Sequence, residues 1–129
     1  MSTGAENPRD LLYHPAHDWV RIDGTTATFG VTWFAQSQLG EIVYWDPPQV
    51  GSRVVKDEPY SELESVKAVS DVLAPLSGVV LECNERVAAE LTLINEDPYG
   101  DGWLVRVELS NPDETAALLS AESYEELIA

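Results

Sequence analysis

Cationic side chains are scarce in this chain. Seven Lys and Arg face 23 Asp and Glu among 129 residues, a formal net charge of −16. A binder of nucleic acid or of an anionic membrane needs clustered Lys and Arg, so neither partner is expected. The acidic balance suits rapid encounter with basic protein surfaces, and equally a surface that is only well solvated. Cysteine is nearly missing: Cys83 stands alone, which excludes an internal disulfide framework. Long apolar runs are missing too, and none approaches the ~18 residues of a membrane-crossing helix. The opening MSTGAENPRD shows no charged-then-apolar signal pattern, so a soluble, reducing, cytoplasmic setting is expected. There is no glycine-rich phosphate loop and no G-x-S-x-G elbow.

What is present is enough to fold. Apolar residues make up 44% of the chain, a globular proportion. Residues 1–10 read as a flexible N-terminus and residues 11–129 as one domain. Trp19 to Ile22 and Ala27 to Val31 read as strands around the turn Asp23-Gly24. Ile42 to Trp45, Val54-Val55, Tyr60 to Val66, Val69 to Leu73, Val79 to Leu81 and Trp103 to Leu109 follow, separated by Pro and Gly. Many short strands with close turns predict a mainly β domain, a small barrel or sandwich.

Two helical segments interrupt that pattern. Thr32 can cap a short helix that ends at Leu39, with Gly40 closing it in the left-handed conformation. Asn111-Pro112-Asp113-Glu114 carries the cap, the N1 proline and the first-turn acids of a helix start. Beyond it, Leu118, Leu119, Tyr124, Leu127 and Ile128 suit the buried stripe of a broken helical tail. Asp113, Glu114, Glu122, Glu125 and Glu126 suit its solvated face.

Most candidate chemistry is weak. Cys83 lies between Glu82 and Glu85, which disfavour a thiolate. His14 and His17, followed by Asp18, could begin a metal site, but the chain holds no third histidine. The aromatics fall at strand spacing and suit a core. Lys67 stands out, because it is one of only two lysines, with Lys56. It sits between the apolar positions Leu63 and Val66 on one side and Val69 and Val72 on the other, which reads as a hairpin tip presenting one amine. Its acidic neighbours Glu64 and Asp71 do not suit a Schiff-base lysine, which needs an apolar pocket. They are compatible with a lysine acylated by an outside enzyme, and equally with a solvated surface lysine.

The segment Glu64-Ser65-Val66-Lys67-Ala68-Val69-Ser70-Asp71 resembles the lipoylation segment of the glycine cleavage system H protein family. His17-Asp18-Trp19-Val20, Ala35-Gln36, Leu39-Gly40-Glu41-Ile42-Val43, Ala74-Pro75-Leu76-Ser77-Gly78 and the loop Asn95 to Trp103 resemble that family in the same order. The likeness runs from about Leu12 to Tyr124.

The resemblance implies a barrel-sandwich hybrid: two small antiparallel sheets, a short internal helix and a C-terminal helical tail. It implies lipoate in amide linkage to Lys67, within the attachment segment Glu64, Ser65, Val66, Ala68 and Asp71. The protein would be a monomeric, non-catalytic carrier of the aminomethyl group of glycine. Its partners would be a pyridoxal-phosphate-dependent glycine decarboxylase, a tetrahydrofolate-dependent aminomethyltransferase, dihydrolipoamide dehydrogenase and a lipoylating enzyme. The loaded arm would fold into a cleft with Asp18 at its acidic side and Val31 and Ala35 at its apolar side. Departures cluster there: Trp33 replaces a usual Asp, Ala16 replaces a hydroxyl residue of some members, and Gln38 stands where some carry His. Tyr44 to Pro48 departs as well. An H-like lipoate carrier of another pathway, such as lipoate-dependent sulfur oxidation, is the alternative. Gly78 is expected to hold a backbone conformation that side chains forbid.

Overall fold

The computed structural model describes residues 7–129, in which nine strands form two antiparallel sheets. The larger sheet holds β1 (Leu12–His14), β2 (Asp18–Asp23), β3 (Thr26–Val31), β5 (Arg53–Val54), β8 (Gly78–Cys83) and β9 (Val105–Leu109). Their order is β1-β2-β3-β9-β8-β5. The smaller sheet holds β4 (Ile42–Asp46), β6 (Pro59–Ser65) and β7 (Val69–Leu73), in the order β4-β6-β7. No closed barrel forms. The mainly β, two-sheet class implied by the sequence is the architecture found.

Side-chain alternation sends β2 into two cores. Val20, with Phe29, Val31, Trp45, Leu63, Val72, Val80, Val105 and Val107, fills the space between the sheets. Trp19 turns the other way and packs with Leu11, Tyr13, Ala121 and Tyr124. The Tyr13 and Tyr124 rings stack there, 4.9 Å apart at 11°, which adds about 0.5–1.5 kcal/mol to their burial. The Trp19 indole donates to the Pro98 carbonyl at 2.8 Å, fixing the loop after residue 95 to the larger sheet.

Among the described residues, three α-helices lie in the connections and a fourth ends the chain. They are α1 (Trp33–Leu39), α2 (Glu85–Ala89), α3 (Thr92–Glu96) and α4 (Ala121–Ile128), with a 3₁₀ segment at Pro112–Ala117. The Thr32 hydroxyl accepts the Ala35 amide at 3.1 Å, the predicted cap of α1. Gly40 ends α1 with φ +83 and ψ −157. That is a glycine-only conformation rather than the left-handed helical one expected. Asn95 of α3 then binds α1 to β4: its amide donates to Gln36 Oε1 at 2.8 Å and to the Gly40 carbonyl at 2.9 Å. Its Oδ1 accepts from the Ile42 amide at 3.0 Å.

Two expectations for the tail are corrected. Glu114 is not on a solvated face: it accepts from the Ser77 amide at 2.7 Å and the Ser77 hydroxyl at 2.9 Å, binding the 3₁₀ segment to the turn before β8. Leu127 is 53% exposed and outside the buried stripe, whereas Tyr124 is fully buried. The role of Gly78 is also different. Its φ is not positive; instead, a Cβ there would overlap the Glu108 carbonyl of β9. The constraint is close approach of two strands, not a forbidden dihedral.

Candidate functional site: a lysine hairpin beside a cleft

Strands β6 and β7 meet at a tip formed by Val66 and Lys67. Glu64 pairs with Val69 across the ladder, and the Ser65 amide donates to the Ala68 carbonyl at 2.8 Å. A two-residue hairpin turn ordinarily requires positive φ, yet neither Val66 nor Lys67 has one. The Ser65 hydroxyl resolves this by accepting from the Lys67 amide at 3.2 Å and the Ala68 amide at 3.1 Å. Ser65 is itself buried while Val66 is 74% exposed, so the tip is braced from beneath and open above. Lys67 is exposed and makes no salt bridge among the described residues. Its side chain runs past the end of α1: a Cβ at Gly40 would lie 3.8 Å from its Cε.

Beside that helix end lies a cleft of about 340 Å³ lined by Ala16, His17, Phe34, Ala35, Gln38, Leu39 and Ser70. Three chain segments build it: the β1–β2 turn, α1 and the strand leaving the lysine tip. The turn is held firmly. His14 Nδ1 accepts the Ala16 amide at 3.1 Å, so its Nε2–H donates to Asp57 Oδ1 at 2.7 Å. That bond, followed by Lys56 at 3.0 Å, draws the Asp57 carboxyl below the usual Asp range. His17, at φ +79, places its ring 4.9 Å from Phe34. His17 Nδ1 lies 2.8 Å from the Tyr124 hydroxyl, which lies 2.8 Å from Thr32 Oγ1.

The structure places the sequence-derived site residues in three groups. Ala35 lines the cleft. Asp18 and Val31 do not: they face each other across the β2–β3 ladder, and both are buried. Asp18 is 1% exposed, and its Oδ2 has no hydrogen-bond partner among the described residues. Burial holds its carboxyl well above the ordinary Asp range. Asp71 is exposed and pairs with Glu62, on the face of β7 opposite Ser70. Glu64, half-buried, sits between Tyr44 and Val69 in the smaller sheet.

Nothing in the sequence indicated that His17 and Tyr124 are hydrogen-bonded partners. They lie 107 positions apart, and no local spacing links them. The hydroxyl of Tyr60, also buried without a partner, carried no sequence signal either.

Comparison with known proteins converges on one family. A sequence model described as glycine cleavage H-protein matches residues 11–129. The chain is 50% identical over 121 residues to the glycine cleavage system H protein of Rubrobacter xylanophilus, covering 93% of each chain. It is 46% identical over 121 residues to that of Symbiobacterium thermophilum, covering 94% of each. The crystal structure of a glycine cleavage system H protein from Mycobacterium marinum superposes with a TM-score of 0.86 at 35% identity, covering 93% of this chain and 97% of that one. With the same two-sheet fold and matches over nearly its whole length, the chain belongs to the glycine cleavage H-protein family.

Proposed function

We propose that Lys67 carries lipoate in amide linkage and that the protein shuttles the aminomethyl group of glycine. The group passes from a pyridoxal-phosphate-dependent decarboxylase to a tetrahydrofolate-dependent aminomethyltransferase. A lipoylating enzyme attaches the arm, and dihydrolipoamide dehydrogenase reoxidises it. The observation that carries this reading is Lys67 itself, free of salt bridges among the described residues, on a braced tip beside a partly apolar cleft. When bound, lipoate supplies a disulfide that accepts a one-carbon amine.

The chain's own residues hold and shelter that arm without catalysing its chemistry. Ser65 fixes the backbone of the tip, so the lysine stem leaves the domain at one defined place. Ala16, Phe34, Ala35 and Leu39 offer apolar surface to a long methylene chain and keep water from it. Asp18 is turned inward beside Val31 and does not reach the cleft surface. Asp71, exposed on the outer face of β7, is the acid open to a cation on the arm.

The test is to incubate the lipoylated protein with glycine and a cognate decarboxylase and to weigh the product. A mass gain of one aminomethyl unit supports the reading. Failure to load contradicts it and favours another lipoate-dependent pathway. Asp71→Asn should leave lipoylation intact while the loaded protein releases ammonia faster in the absence of the aminomethyltransferase.

A further inference from the structure

We propose that the C-terminal helix sets the hydrogen-bonding polarity of the cleft. Tyr124 holds His17 as a neutral ring whose Nε2–H donates to an uncharged acceptor on an acyl arm attached to Lys67, either its amide carbonyl or its sulfur. This rests on the carrier reading above.

The argument is a proton inventory. Thr32 Oγ1 accepts the Ala35 amide at 3.1 Å and lies 2.8 Å from the Tyr124 hydroxyl. Thr32 is 0% exposed, and its own proton has no other acceptor among the described residues. A hydroxyl proton stranded in a dry interior is costly, so Thr32 donates to Tyr124. The Tyr124 proton then goes to the second neighbour of that oxygen, His17 Nδ1 at 2.8 Å. A neutral ring that accepts at Nδ1 carries its proton at Nε2. Burial, and next His14, both disfavour the charged imidazolium at His17, which agrees with that assignment.

Two further observations indicate that the ring is held for a purpose. His17 adopts φ +79, uncommon for a residue with a β-carbon though less so for His, and this fixes where its ring leaves the β1–β2 turn. Phe34 supports the ring at 4.9 Å from the cleft side of α1. Nε2 makes no hydrogen bond among the described residues, so it is the polar atom of His17 left for the cleft's occupant. Around it the cleft wall is apolar at Ala16, Phe34, Ala35 and Leu39, with Gln38 and Ser70 as its other polar residues. A neutral donor beside this apolar wall suits a carbonyl or sulfur on an apolar chain. Tyr124 is therefore a positioning residue, acting on the arm through His17.

The test reads the His17 ring nitrogens by NMR in the full chain, unacylated, octanoylated and lipoylated at Lys67. Unacylated protein should show the neutral tautomer protonated at Nε2; an Nδ1–H tautomer overturns the proposal. The octanoyl arm has the amide carbonyl but no sulfur. A shift of the Nε2–H signal with both arms supports the carbonyl as acceptor, and a shift with lipoyl alone supports the sulfur. No shift with either overturns the proposal. Tyr124→Phe keeps the ring that stacks on Tyr13. It should give mixed tautomers and a several-fold faster reduction of the lipoyl disulfide by a small phosphine. Unchanged tautomer and unchanged reduction overturn the positioning role. His17→Gln, with an amide at similar reach, should reduce at close to the wild-type rate, and His17→Leu should not. Should Tyr124→Phe fail to fold, the wild-type tautomer and acyl-dependent shifts decide the matter. A chain that takes no acyl group at Lys67 refutes the carrier reading and this inference with it. An acylated chain whose His17 signals do not move refutes this inference alone.

Discussion

Gly30 lies directly opposite Trp19 in the β2–β3 ladder, and a Cβ at Gly30 would stand 2.5 Å from the indole ring. The ring occupies the space a side chain would need, and its nitrogen is tied to Pro98. Gly30→Ala should therefore force the indole off its rotamer and cost about 1–3 kcal/mol. Gly78→Val should cost at least as much, because the obstacle there is the Glu108 carbonyl rather than a movable side chain. Urea denaturation checks both. A midpoint equal to wild type for either variant would contradict the close approach.

Ser65→Ala should loosen the lysine tip without unfolding the domain. It removes the acceptor of two amides, which costs about 1 kcal/mol. Acylation of Lys67 should fall in kcat/KM, and Ser65→Thr should restore it. Steady-state acylation rates decide this. An alanine variant acylated at the wild-type rate would mean that the brace has no bearing on presentation.

Asp18 should make stability depend on pH with a definite sign. Burial raises its pKa in the folded state, so the folded state binds the proton more tightly than the unfolded chain. The side chain is tolerated fully below the unfolded value of about 3.9. Its penalty grows as pH rises from there through the folded value. Asp18→Leu, close in shape and without charge, should then be more stable than wild type at pH 7 by about 1–3 kcal/mol. The gap should close toward pH 4. Thermal melts across that range test it; a gap that widens on acidification would show that the carboxylate has a partner in the folded state.

Much of this fold was legible from local pattern. Alternating apolar positions and Pro or Gly punctuation located most strands, and Thr32 announced α1. Strand β1 and helices α2 and α3 were not read. The two helices have five residues each, too short for a 3.6-residue period to repeat, although Asn84 before Glu85 is a cap signal that could have revealed α2. Glu114 was misread because charge alone suggests solvent, while its bonds to Ser77 come from 37 positions away. At the site, Lys67 stood out by rarity and by resemblance. Of the cleft, Ala16, Ala35 and Gln38 were legible through the resemblance, whereas Phe34, Leu39 and Ser70 were not, because its walls come from three separated segments. A carboxylate at position 18 suggests an accessible acid, whereas the β2–β3 pairing turns it inward beside Val31.

The central claim is that Lys67 is the acylated residue, and peptide mapping by mass tests it most directly. Protein isolated from cells that lipoylate other proteins should carry one lipoyl group, on the peptide containing Lys67. Lys67→Arg should melt like wild type, since the tip adds little to packing, and should carry none. An adduct on Lys56, or an unmodified chain in such cells, would contradict the account.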